Sequence, residues 1–176
     1  MCIRDRHKTI LRKAEDLGIV VIGWHATELV GGNPDIGLYT NITTDPLDVA
    51  EIAALLAIVN SNGRAKTVVF TDPNYEIAMI KANAMVNTIK RCNTCDVLEL
   101  NYLPLEKIAE QMPATLKMLE KKYDEKITHI LAINDLYIDY AIPSLESNLE
   151  EYRLIPQNIS AGDGLSLIHI SEPTRR

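Results

Sequence analysis

The sequence predicts an α/β fold, a parallel-sheet, Rossmann-like lobe of three layers with helices on both faces of the sheet. Three observations carry this expectation. Short apolar runs such as Ile19–Ile22, Thr67–Phe70 and Ile127–Ile133 alternate with longer stretches whose apolar residues recur at helical spacing. No hairpin signal joins one run to the next, so the strands should lie parallel, each returned by a helix. The runs are apolar almost throughout rather than alternating, as strands covered on both faces are.

Taken in order, Ile10, Leu11, Ala14 and Leu17 mark a first helix, Gly18 stops it, and Ile19–Ile22 reads as a buried strand. A second strand is expected near Leu38–Ile42. Asp45-Pro46 opens the next helix, because proline in a first turn lacks only an N–H that would be unpaired there anyway; apolar residues carry it to Val59. Thr67–Phe70 is the third strand, followed by a helix with Ile77, Ile80, Ala84 and Ile89 on one side. Val97–Leu100 is the fourth, and its helix runs to Tyr123 with a break or restart at Pro113. The run Ile127–Ile133 leads into a helix, Asp135–Glu146, that Pro143 should bend or end early, and PQNISAGDG holds one more strand.

The two ends continue none of these patterns. Back-translated, MCIRDR gives a DNA word whose reverse complement reads Leu-Ser-Leu-Ile-His, the residues at 165–169, so both ends resemble translated sequencing-adapter sequence. Residues 1–6 and 165–176 are therefore set aside as scars, and about 158 residues remain, enough for one domain core. That removes four of the 18 basic residues and two of the 24 acidic ones, leaving 14 against 22 and a net charge of −8. So acidic a surface, with no basic stripe, repels phosphate backbones and argues against nucleic-acid binding by this segment. No apolar run reaches the ~18 residues of a membrane span.

With Cys2 set aside, Cys92 and Cys95 remain. A zinc ribbon needs a second ligand pair, and none exists, so no metal is expected. Since a redox pair usually opens a helix and this one closes one, the two are a small structural disulfide or two unpaired thiols. The methionines 79, 85, 112 and 118 fit helix packing, and no cofactor is implied.

In an open α/β sheet, ligands bind beyond the carboxyl ends of the strands, where the strand order reverses. That rule selects Trp24 and His25 after the first strand, Asn41 and Asp45 after the second, and Asp72, Asn74 and Tyr75 after the third. It also selects Asn134, Asp135 and Tyr137 after Ile133, and Asp163 after the last strand. These are carboxylates, amides and rings, with no Ser-His-Asp set and no glycine-rich phosphate loop. Asp and Asn can engage vicinal hydroxyls, and Trp or Tyr offers a flat face to the C–H side of a sugar. Asp45, Asp72 and Asp135 also stand where a helix-capping acid belongs. Trp24 is either a core residue or a ligand platform, His25 a surface histidine or a contact, and His129 a pairing or packing residue inside a strand.

These residues resemble the type I periplasmic-binding-protein superfamily, in particular the ribose-binding type of sugar-binding subunit in ABC importers. GIVVIGWHA is similar to the strand and contact pair ending that family's first lobe, and YTNITTDPLDVAEIAALLA to its hinge crossing and the first helix of its second lobe. VVFTDPNYEIAMIKANAMVNTI resembles the next strand, ligand loop and helix; ITHILAINDLYIDYAIPSL the Asn-Asp element, with Asp135 on the ligand-binding acid; ISAGDG the return crossing. The contact pair departs from the ribose type, Trp-His standing for acid plus Arg, so the sugar does not transfer.

The resemblance implies a truncated binding protein: residues 7–42 a remnant of the first lobe and hinge, 43–161 the ligand-binding lobe, 162–164 the start of a return crossing. It implies a periplasmic monomer with no catalytic activity that holds a small sugar or polyol at Trp24, His25, Asp72, Tyr75, Asn134, Asp135, Tyr137 and Asp163 and delivers it to a membrane permease. The Ile19–Ile22 strand, lacking its sheet, should dock loosely or pair non-natively. A rival with the same fold is the effector domain of a LacI-type transcription repressor. A Rossmann-type enzyme is disfavoured because no GxGxxG follows a strand.

Overall fold

Alternation of apolar runs and helical segments builds eleven main elements in the computed structural model, which describes residues 8–24, 26–27, 30–123, 126–146 and 156–162. In chain order they are α1 (Lys8–Asp16), β1 (Ile22–Trp24), β2 (Thr40–Ile42), α2 (Pro46–Asn60), β3 (Lys66–Thr71), α3 (Glu76–Lys90), β4 (Asp96–Tyr102), α4 (Ile108–Tyr123), β5 (His129–Ala132), α5 (Asp135–Glu146) and β6 (Gln157–Ser160). The last four strands form one parallel sheet in the order β4-β3-β5-β6.

That order fixes the layers. The chain steps from β3 outward to β4, then reverses past β3 to β5 and on to β6. Right-handed crossovers therefore place α3 on one face and α4 and α5 on the other. The contacts agree: α2 packs with α3, and α4 with α5. Val68, Val69 and Phe70 of β3 and Leu131 and Ala132 of β5 are fully buried between the layers, and the Phe70 and Tyr137 rings lie 5.8 Å apart.

Local chemistry sets several boundaries. Asp45 caps α2, its Oδ1 accepting from the amides of Leu47 at 2.8 Å and Asp48 at 3.3 Å, with Pro46 in the first turn. The capping reading of Asp45 therefore holds. Cys92 and Cys95 form a disulfide between the end of α3 and the start of β4, so of the two sequence readings the bridge is the one found. On the outer edge, Glu99 accepts from Lys122 at 2.7 Å, Tyr123 at 2.9 Å and Asn101 at 3.0 Å. Burial works to raise its pKa, but these bonds outweigh it and hold the carboxyl below its usual range.

Three expectations need correction. First, Ile19–Ile22 is not a buried strand: β1 is Ile22–Trp24, it pairs in parallel with β2 from Ile22 beside Thr40, and Ile19, Val20 and Ile22 are exposed. A two-stranded ribbon has no second layer to cover both faces, so apolar content alone does not bury it. Second, α3 buries Ala78, Lys81, Ala82, Met85 and Ile89 rather than the face through Ile77, Ile80 and Ala84. Third, neither proline stops its helix. Pro113 and Pro143 lie inside α4 and α5, where the packing of Met112, Leu116 and Leu119, and of Ala141 and Leu145, outweighs one lost hydrogen bond each.

His129 opens β5, as expected of a packing residue, and is 3 % exposed. Burial lowers its pKa from the ordinary value, the side chain of Gln157 opposing the shift. The sign follows: the unfolded chain takes up the proton near pH 6.5, the folded one only at lower pH. His129 therefore contributes fully above about pH 6.5 and progressively less as pH falls toward the folded value, with a slope of at most ~1.4 kcal/mol per pH unit. Urea unfolding at pH 7.5 and 5.5 should show the loss, and His129→Gln should lose less between the two.

Candidate functional site

All four strands of the main sheet point the same way, so their carboxyl ends share one edge. At β3 the chain turns toward α3 on one face, and at the adjacent β5 toward α5 on the other. The loops after Thr71 and Ile133 leave toward opposite faces, and such a reversal of strand order is where open α/β sheets bind ligands.

The edge is laced together by polar side chains. Asp72, 1 % exposed, accepts from the Asn74 amide at 2.8 Å through Oδ1 and from the Leu105 amide at 2.7 Å through Oδ2, so it joins the loops after β3 and β4. Tyr137 is fully buried and donates its hydroxyl to the Leu103 carbonyl at 2.6 Å. Burial, together with the charge of Asp72, holds its phenol proton far above the ordinary range, so it remains a donor at every physiological pH. These two residues, expected as ligand contacts, brace the edge from within. Tyr75 stands at the N-cap of α3, partly buried against the core.

Asn134 and Asp135 follow β5 at the point where the strand becomes α5. Asp135 is 5 % exposed and is the first residue of that helix. The Oδ1 of Asn134 and the Oγ of Ser160, the last residue of β6, are buried polar atoms with no hydrogen-bond partner among the described residues. Gly162 closes the corner: a Cβ there would overlap the Asp135 backbone nitrogen and carboxylate and the Ser160 hydroxyl.

Lys81 is the residue that sequence reasoning missed. It is buried on the inner face of α3, and its Nζ donates to the carbonyls of Ala161 at 2.8 Å and Ile133 at 3.3 Å, where β6 and β5 end. A signal was present in the lysine that interrupts the apolar spacing Ala78, Ala82, Met85, Ile89. The edge thus combines one buried cation, two carboxylates and two unpartnered acceptors, a set suited to a small neutral, hydroxyl-rich molecule.

Trp24 and Asn41 lie elsewhere. Trp24 is exposed at the end of β1, so the core reading fails for it. Asn41 is buried and fixes the ribbon: its Oδ1 accepts from the Ala26 amide at 3.1 Å and its Nδ2 donates to the Thr27 carbonyl at 3.0 Å. His25 and Asp163 lie outside the described residues. A depression of about 430 Å³ lies between Glu15 and Tyr39, away from the main sheet edge. Among the described residues, no cluster of His, Cys, Asp or Glu is placed to hold a metal ion.

This sheet order, with helices on both faces and polar loops at one edge, matches solved sugar-binding proteins. A galactofuranose-binding protein superposes with a TM-score of 0.62 at 17 % identity, covering 80 % of this chain and 48 % of that one. AraP, an arabinose-binding protein from Geobacillus stearothermophilus, gives 0.68 at 15 % identity over 86 % of this chain and 49 % of that one. The fold is that of a type I periplasmic binding protein. A periplasmic sugar-binding protein from Legionella pneumophila gives 0.68 at 17 % identity over 94 % of this chain and 60 % of that one. The chain spans about half the length of the galactofuranose-binding protein and of AraP. No protein-family model matches it, and no curated protein does.

Proposed function

We propose that this chain is part of the substrate-binding protein of an ABC importer, and that its main sheet is the lobe that contributes half of a site for a small sugar or polyol. In this reading residues 7–42 derive from the first lobe and hinge, residues 43–161 form the ligand-binding lobe, and 162–164 begin the crossing back. The protein works in the periplasm and hands its ligand to a membrane permease. No bond is made or broken. The ligand selects a closed arrangement of two lobes by touching both.

The observation that carries this reading is a pair of buried polar atoms without a hydrogen-bond partner among the described residues, Asn134 Oδ1 after β5 and Ser160 Oγ at the end of β6, near the buried Asp135. A buried acceptor without a partner costs on the order of 1–3 kcal/mol, and a ligand hydroxyl donated to it recovers that cost. Asn134, Asp135 and Tyr75 contact the ligand; Asp72, Tyr137 and Lys81 position the loops; Trp24, His25 and Asp163 meet it from the first lobe and the crossing. The printed ligands of the structural neighbours, arabinose and galactofuranose among them, support the carbohydrate class. A thermal-shift panel of pentoses, hexoses and polyols tests it, since a ligand that binds only the folded state raises the melting temperature. A flat response to every member would overturn the carbohydrate reading.

A further inference from the structure

Lys81 stands where the inner face of a helix calls for an apolar side chain. On α3 it falls among Ala78, Ala82, Met85 and Ile89, all buried, and is itself 6 % exposed. Burying an ammonium carries a desolvation cost that a methionine of similar length does not, so the stem's packing alone gives no reason for a lysine here. Its Nζ donates to the carbonyls of Ala161 at 2.8 Å and Ile133 at 3.3 Å. Ile133 directly precedes Asn134, and Ala161 directly follows Ser160. The ammonium therefore grips the main chain next to each of two buried polar atoms that lack a partner among the described residues, Asn134 Oδ1 and Ser160 Oγ.

We propose that Lys81 is a positioning residue that fixes Asn134 and Ser160 as one pair, and that the pair takes two hydroxyls of a single ligand. The inference rests on the sugar-binding reading and adds the residue on which its affinity depends. β5 and β6 run in register with Ala132 beside Ser160, so their ends leave the sheet about one strand spacing, ~4.8 Å, apart. Among the described residues β6 pairs with β5 alone, so no second strand holds Ala161 from the far side. Lys81 supplies that hold from α3, the helix whose N-cap is Tyr75, and so ties the loop after β3 to the ends of both other strands. An ammonium suits the task, because its donors rotate and can serve two carbonyls on different strands. Polar atoms held in place before the ligand arrives need no ordering when it binds, and that saving appears as affinity.

A double-mutant cycle on the full chain tests it, with Lys81→Met, Ser160→Ala and their combination titrated calorimetrically with L-arabinose, D-glucose and xylitol. Each single change should weaken binding of whichever sugar the wild type takes by about tenfold, roughly one net hydrogen bond. The combination should lose little more than either alone, because the methionine releases the strand end on which Ser160 depends. In ligand-free amide NMR spectra Lys81→Met should displace Asn134, Asp135, Ser160 and Gly162. Leu119→Ala, a buried change in α4, should lower stability yet leave those amides and the affinity unchanged, which separates positioning from mere support of the fold. Lys81→Arg, which keeps the charge and lengthens the reach, carries the same cycle if the methionine variant does not fold. Wild-type amide positions in Lys81→Met, wild-type affinity in it, or fully additive losses would each overturn the proposal. A wild type that takes none of the three sugars contradicts the sugar-binding reading instead, and the ligand-free spectra then decide for or against the positioning role by themselves.

Discussion

Replacing Phe70 by alanine should destabilise the chain by about 3–5 kcal/mol, a large part of what a domain of this size possesses. Phe70 is fully buried in β3, the strand flanked by β4 and β5, and its ring packs on Tyr137. The substitution removes apolar contacts on the face of the sheet that α5 covers, Tyr137 among them, and leaves a cavity that neighbours on rigid strands cannot fill. Urea unfolding followed by circular dichroism measures it. A loss below about 1 kcal/mol would mean that the centre of the sheet is far looser than described here.

The second large effect belongs to Gly162→Ala. The added methyl meets the Asp135 amide and carboxylate and the Ser160 hydroxyl at distances that real Cβ atoms do not adopt. One of those atoms is the backbone nitrogen at the start of α5, so relief requires moving the β6 turn or the helix itself. A cost of about 1–3 kcal/mol is expected, as for other forced overpacking, together with weaker binding of any ligand held by Asp135. Unchanged stability and unchanged binding would show that the turn relaxes freely and that Gly162 does not set the position of Asp135.

What was legible from sequence had local causes. Asp45 could be read as a cap because its two acceptor bonds fall within three residues. The two central strands, β3 and β5, could be read because burial on both faces requires an apolar run. The polar edge could be placed because carboxyl ends of parallel strands coincide once their direction is known. The rest depended on distant partners. Lys81 is held by carbonyls 52 and 80 residues away, so its place within an apolar spacing hints at burial while the partners that permit it are invisible locally. Asp72 and Tyr137 read as ligand contacts from their position after strands, yet their polar atoms are taken by Leu105 and Leu103, on a loop whose path only the fold determines. The same holds for Ile19–Ile22: apolar content promised burial, but burial needs covering layers, and a two-stranded ribbon supplies none.

Amide-resolved NMR of the full chain, titrated with L-arabinose, D-glucose and xylitol, tests most directly whether the β3–β5 carboxyl edge is where a hydroxyl-rich ligand binds. Shifts concentrated at Asn74, Tyr75, Asn134, Asp135, Ser160 and Gly162 are the predicted result. Shifts confined to the depression between Glu15 and Tyr39, or none with any of the three, would contradict it.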